Sequence, residues 1–322
     1  MEKQVNYSWV SEIVLIGFPT FRNVYVLLFI ILIIIYLFII IGNIVILLIV
    51  RNGSSLSSPM YVFIGALSFL EIFYTAVTIP KMLADLLNTE KKISLTGCLL
   101  QAYFLHAFGA TECYLLLIMS YDRFLAICRP LQYSTVMTAG FYMNLVVSCF
   151  IGGFISPIIE TVLISRLPYC GSNYIENVFC DFPPLISLAC TETKLYILVE
   201  FVVSSLIILL SFAYVFLSYI RIISVVVKIK STAGRQKAFS TCIAHLIVVT
   251  LSFGSIAFMY IRVTESYSVV YDKVVGLTYT VFVPLANPII YGLRNHEIKT
   301  NLQRHLSSGQ FKILASKYLK SS

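Results

Sequence analysis

The chain has 322 residues, of which 59% are hydrophobic and 12% charged, with a mean hydropathy of +0.90. So little charge cannot clothe a soluble globule of this size, and composition alone indicates a multi-span membrane protein. The net charge of +8 comes without a long basic run interleaved with aromatics, which argues for lipid contact and topology and against nucleic acid as a partner.

The first 23 residues are mostly polar and hold no short apolar core with a small-residue cleavage site, so the first span is expected to be its own insertion signal. This amino end (residues 1–23) carries the sequon "NYS" at Asn6. A bilayer core takes about 20 apolar residues per helix. Seven runs qualify: Val24–Val50, Pro59–Leu83, Gly97–Cys128, Phe141–Ile164, Leu195–Ile220, Ala238–Ile261 and Val274–Leu293. None alternates apolar with polar residues as a barrel strand would, so the spans are helices. The fold expected is an all-α membrane protein, a seven-transmembrane helix bundle over residues 24–293, followed by a tail at 294–322. In the tail, Ile298, Leu302 and Leu306 repeat every four residues around Lys299 and Arg304, which predicts a short amphipathic helix on the cytoplasmic face. No cysteine follows to carry a palmitoyl group.

Basic residues set the orientation. Fourteen of the 23 lie in the tail and in the loops after the first, third and fifth spans, Arg51, Arg123, Arg129 and Arg221 among them. That side is therefore cytoplasmic, and the amino end is extracellular. Asn6 is then open to glycosylation, whereas Asn52, in "NGS", is not.

Eight cysteines divide in two groups. Cys113, Cys128, Cys149 and Cys242 lie in spans or at their inner ends and read as small apolar packing. Cys98, Cys170, Cys180 and Cys190 lie on the outer side, where two disulfides are favoured. Spacing leaves all three pairings open. A zinc site is the lesser alternative, since the loop Ser165–Lys194 has no histidine and no C-x-x-C. Tethered to the third span, this long loop would lie over the outer mouth of the bundle as a lid or vestibule.

Acids inside spans are functional candidates. Glu112 and Arg123 are eleven residues apart, close to three helical turns, and share a stripe with Leu105, Gly109 and Leu116. Glu71 of the second span points to the same interior. The pair could hold a cation or share a proton, or else be protonated and hydrogen-bonded as packing. The outer interior is otherwise apolar. His106, Gly109 and Ala110 face Val203, Ser204 and Ile207 of the fifth span, with Ile256, Ala257 and Tyr260 of the sixth and Leu277 and Thr280 of the seventh. Each residue alone reads as helix packing, but together they predict a pocket for a small apolar molecule with one or two polar groups. In the seventh span, Pro288 should kink the helix, and Asn287 can satisfy freed carbonyls or reach Glu71.

Several motifs stand in order: "GN" (Gly42–Asn43), "PMYVFIGALSFLE" (Pro59–Glu71), "MSYDRFLAICRPLQY" (Met119–Tyr133), "SY" (Ser218–Tyr219), "KAFSTCIAHLIVV" (Lys237–Val249) and "PLANPIIYGLRN" (Pro284–Asn295). With these the chain resembles an odorant receptor of the rhodopsin-like, G-protein-coupled class, from about Gly17 to about Lys299. "CDFPPLISLAC" (Cys180–Cys190) resembles the tetrapod-type branch. The resemblance implies a plasma-membrane receptor with no enzymatic activity and no required cofactor. It also implies an Asp122–Arg123 latch that opens towards Tyr219 and Tyr291. Asn287 and Pro288 serve the same change, which admits a heterotrimeric olfactory stimulatory G protein and raises cyclic AMP. It implies disulfides Cys98–Cys180 and Cys170–Cys190, and a sodium ion near Glu71 and Glu112. Departures are Ser120 for alanine, Phe124 for tyrosine, and "SFG" (Ser252–Gly254) where the family often has Phe-Tyr-Gly. Phe253, a ligand-contact candidate, thus lacks a hydroxyl.

Three other functions compete. A proton- or sodium-coupled transporter would use paired acids, but seven spans do not divide into equal repeats. An intramembrane enzyme lacks support, because His106, His245, His296 and His305 do not have metal-ligand spacing. An amine receptor would want an acid in the outer third span, where Leu105 and His106 stand, so a cationic amine is disfavoured.

Overall fold

The computed structural model describes residues 10–17, 22–52, 58–170, 172–261 and 269–294, with residues 298 and 300. Asn6, the side chain of Asn52 and most of the expected tail helix lie outside the described residues. Ile298 is inside them and is fully buried against the bundle core.

Among the described residues seven helices are long and apolar enough to cross a membrane. The first (Arg22–Asn52) leaves Leu27, Ile34 and Ile41 more than half exposed, as a lipid-facing surface requires. The second (Pro59–Leu87) begins on a proline, whose missing N–H costs nothing in a first turn. The third (Leu95–Cys128) is capped by Ser94, whose Oγ accepts from Gly97 N at 3.0 Å. It is the central helix, packed on the second, fourth, fifth and sixth. A short helix (Pro130–Val136) follows it.

The fourth span is interrupted. It runs Ala139–Ile155, turns at Ser156–Pro157 and resumes as Ile158–Ser165. Pro157 has no N–H to continue the ladder, so the chain restarts there and re-aims its last two turns. Below the break, Gly153 lies against the third span. A Cβ there would strike Thr111 Oγ1 and come within 2.9 Å of the Ala107 carbonyl. Only glycine allows so close a helix crossing, the small-residue packing of membrane helices.

The fifth span (Lys194–Val226) runs beyond the expected Ile220, and the sixth (Thr232–Tyr260) begins well before Ala238. In the seventh, helix Val269–Leu277 passes through a π-helical turn at Thr278–Phe282 into helix Val283–Arg294. Its departure from α-geometry therefore comes upstream of Pro288.

One end of the bundle is closed by a cap. Strands β1 (Glu12–Leu15), β2 (Lys92–Ser94) and β3 (Tyr174–Ile175) form a sheet in the order β2-β1-β3. β1 pairs antiparallel with β2, Ile13 opposite Ile93, and parallel with β3, Leu15 opposite Ile175. Ile13 and Leu15 alternate inward onto a second apolar core with Phe182, Leu185 and Ile186. Those three lie on a short helix (Phe182–Ile186) capped by Asp181. Two disulfides fix the loop, Cys98–Cys180 to the third span and Cys170–Cys190 within it. The zinc alternative falls with them, because all four cysteines are paired.

Candidate functional site

Beneath this cap a half-enclosed cleft with about 440 Å³ of empty space opens between the third to seventh spans. His106, Gly109, Ala110, Val203, Ser204, Ile207, Ile256 and Tyr260 line it, and all eight were expected there. Four other candidates stand outside the lining. Phe253 is buried against Phe212, with ring centroids 5.7 Å apart. Thr280 is turned back on its own helix, donating to the Gly276 carbonyl at 2.7 Å. Leu277 and Ala257 are half-buried elsewhere.

The seventh-span misses have one cause. The α-helix ends at Leu277 and a π turn at Thr278–Phe282 follows, which breaks the phase between Leu277 and Thr280 that a continuous α-helix would keep. Tyr279 takes the wall instead. Its hydroxyl lies 2.7 Å from where a Cβ on Gly109 would be, so that glycine makes room for the ring.

The fourth span supplies Ser156, Pro157 and Glu160, none of which the sequence reading singled out. Their signal was an acid two residues beyond a "SPI" break in an apolar run. Glu160 is 2% exposed, and its Oε1 has no hydrogen-bond partner. His106 Nδ1 lies 3.0 Å from the Ala102 carbonyl. A carbonyl only accepts, so Nδ1 carries the proton and donates. In the neutral ring Nε2 is then an acceptor, and it too is unpaired. The ring stacks on Phe182 at 4.2 Å. Asp181 Oδ1 is 3.6 Å from His106 Nδ1, and the Tyr260 hydroxyl donates to Asp181 Oδ2 at 3.3 Å. Ser204 donates to Glu200, a further buried acid, at 3.4 Å. The outer third span has no acid, as expected, yet acids reach the cleft from the fourth span and the cap.

From the cleft a chain of buried hydrogen bonds descends. Ser252 donates to Glu112 Oε1 at 2.7 Å, joining the sixth span to the third. One level down, His245 Nε2 donates to the Leu116 carbonyl at 3.2 Å, which leaves Nδ1 to accept from the Tyr219 hydroxyl at 2.7 Å. On the facing side Asn287 Nδ2 donates to Glu71 Oε1. Asn287 Oδ1 and the Tyr291 hydroxyl are buried without partners. With Glu71 and Glu112 they make an all-oxygen set, which suits a small hard cation. Among the described residues, no group of three or more His, Cys, Asp or Glu is arranged to hold a metal.

At the far end, Arg123 donates to Asp122 Oδ2 twice, from Nε at 3.0 Å and Nη2 at 2.6 Å. Asp122 is fully buried. Its other oxygen accepts from the Tyr133 hydroxyl at 2.8 Å, a partner that sequence reasoning missed. Burial, reinforced by the Asp122 carboxylate, pushes the Tyr133 hydroxyl up, so it remains a protonated donor at neutral pH. Tyr219 is on His245 rather than on Arg123. The Asp122–Arg123 ion pair is formed.

The fold is thus a capped seven-helix bundle with a cleft under the cap and a buried acid–arginine pair at the opposite end. The olfactory receptor family profile matches residues 32–309. Olfactory receptor 6N1 of Homo sapiens is 51% identical over 301 residues, 94% of this chain and 96% of that protein. Olfactory receptor 6K2 of Homo sapiens is 47% identical, covering 83% of this chain and 82% of its own. The chain belongs to the olfactory receptor family. It is a multi-pass membrane odorant receptor of the G-protein-coupled kind and not an enzyme.

Proposed function

We propose that this receptor binds small, volatile, mainly apolar molecules in the cleft and activates an olfactory-type stimulatory G protein, raising cyclic AMP. The observation that carries this reading is the two tiers of buried hydrogen bonds, Ser252 to Glu112 and His245 to the Leu116 carbonyl, that tie the sixth span to the third between the cleft and the Asp122–Arg123 pair. Ile256 and Tyr260 form one wall of the cleft, and Ser252 and His245 lie on the same helix below them. A ligand that favours an outward position of the sixth span draws Ser252 from Glu112 and His245 from Leu116. Tyr219 is then released towards Arg123. The ligand need only bind that arrangement better than the closed one to shift the population.

Glu71, Glu112 and Asn287 would hold a sodium ion in the closed arrangement. Its charge would offset two carboxylates that otherwise repel across the interior. The disulfide-bonded cap belongs on the oxidising side, which with the basic-residue bias supports a plasma-membrane receptor with an extracellular amino end (1–23), a spanning domain (24–293) and a cytoplasmic tail (294–322). On this orientation Asn6 is a glycosylation site.

Arg123→Lys tests the proposal. A planar, fixed charge that changes partners is poorly replaced by an ammonium, whereas an anchor at the lipid headgroups is replaced well. Odorant-driven cyclic AMP is expected to fall several-fold at matched surface density. Full signalling would return Arg123 to anchoring and overturn the latch reading.

A further inference from the structure

The cleft has a polarity that an apolar odorant does not use. Three side chains on its wall hold atoms without hydrogen-bond partners, Glu160 Oε1, His106 Nε2 and the Tyr279 hydroxyl. His106 Nε2 is an acceptor, because Nδ1 is committed to the Ala102 carbonyl, and the carboxyl of Glu160, on giving up its proton, offers a second acceptor to a cation. A buried polar group left unsatisfied costs stability, and a ligand that satisfies it recovers that cost on binding. Acidic side chains gather on this side of the cleft. Glu160 and Glu200 both lie within electrostatic reach of Asp181. Among the described residues lining the cleft there is no lysine or arginine. Ala110, Val203, Ile207 and Ile256 supply an apolar stretch of the wall.

We infer that this cleft selects a primary alkylamine. Its ammonium hydrogens donate to Glu160 Oε1 and His106 Nε2, and its alkyl body lies along the apolar wall. This inference rests on the odorant-receptor reading and adds the class of head group. An aldehyde or ester brings only acceptors, which the Tyr279 hydroxyl can meet but which leave Glu160 Oε1 and His106 Nε2 unpaired. A carboxylic acid adds a further acid beside Glu160 and offers no complementary charge. An alcohol has one hydrogen to give, whereas the ammonium has three and carries the complementary charge. The acid is on the fourth span, placed there by the restart after Pro157, so its absence from the outer third span does not exclude an amine.

Thermal stabilisation of the full-length receptor in membranes, at neutral pH, tests this independently of G-protein coupling. Hexylamine, hexan-1-ol, hexanal and hexanoic acid are titrated on wild type, Glu160→Gln and Glu160→Asp. Hexylamine is expected to half-saturate at a concentration at least tenfold below the other three, since a charge-assisted hydrogen bond is worth that factor or more. Glu160→Gln should cut hexylamine affinity at least tenfold and leave hexan-1-ol within about threefold, while Glu160→Asp keeps the preference for the amine. Equal half-saturation for amine and alcohol overturns the inference. So does an equal loss for every probe in Glu160→Gln, which would mark a packing role, or stabilisation by none of the four. A cyclic AMP response to other odorants alongside any of these would leave the odorant-receptor reading standing.

Discussion

Ser252→Ala isolates the link between cleft and latch. Ser252 is fully buried, and its hydroxyl is the hydrogen-bond donor to Glu112 Oε1 at 2.7 Å. Alanine removes that donor and little else, because serine and alanine are close in size. A hydrogen bond of this kind contributes about 0.5–1.5 kcal/mol when both partners are neutral and about 1.5–3 kcal/mol when one is charged. If the bond exists only while the sixth span is packed on the third, its loss destabilises the closed arrangement alone. A value of about 1–2 kcal/mol shifts the equilibrium roughly five- to thirtyfold towards the open one. A receptor that is open about 1% of the time would then be open for roughly 5–25%. Basal cyclic AMP, measured against surface-labelled receptor in the same cells, is expected to rise several-fold without ligand. Unchanged basal signal at matched surface density would mean that the bond persists in both arrangements, and the proposed route from cleft to latch would fail.

Three further outcomes follow from other contacts. Tyr133→Phe removes the donor to the second oxygen of Asp122, and Asp122→Asn weakens the Arg123 pair itself. Both should raise basal signal, the asparagine more, and a silent Asp122→Asn at normal surface level would refute the closed-latch reading. Gly153→Ala puts a methyl group against Thr111 and the Ala107 carbonyl. It should cost about 1–3 kcal/mol, seen as lower surface delivery and a lower Tm, whereas Gly140→Ala, with open space around it, should be neutral. In the chain-entropy account, Cys98–Cys180, spanning 82 residues, contributes about 4.5 kcal/mol, and Cys170–Cys190, spanning 20, about 3.3 kcal/mol. Surface expression should therefore fall further in Cys98→Ser than in Cys170→Ser, and the reverse order would place the main restraint within the loop.

The spans were legible because lipid demands long apolar runs, and nothing in this chain imitates them. Their ends were less so. The fifth and sixth helices continue past the apolar boundary into charged sequence, where hydropathy no longer reports helix. The cap was illegible for another reason: "EIVL" holds only three apolar residues and its partners are far away in sequence, so no local pattern marks it as a strand. In the cleft, the third and fifth spans followed α-periodicity and their wall residues fell where expected, whereas in the sixth Ile256 and Tyr260 did and Phe253 and Ala257 did not. The seventh changed phase at its π turn, which periodicity could not foresee. Glu160 was visible as an acid in an apolar run, but its direction depends on the restart at Pro157.

The strand β1 has a consequence for how the molecule is made. It is the first piece of secondary structure along the described chain, yet it has nothing to pair with when it emerges. Its neighbour β2 appears only after the second span is synthesised, and β3 only after the fourth. Long-range pairing of this kind is slow and leaves unpaired edges exposed while it waits. The amino-terminal segment must therefore stay free on its side of the membrane until more than half the chain has been inserted. It is then drawn into the middle of the sheet, with the Cys98–Cys180 bond sealing the same layer. Closure of the cap thus reports that the preceding helices are in place. A quality-control system that sensed this sheet edge or these free thiols would release only receptors whose ligand cleft already has its roof.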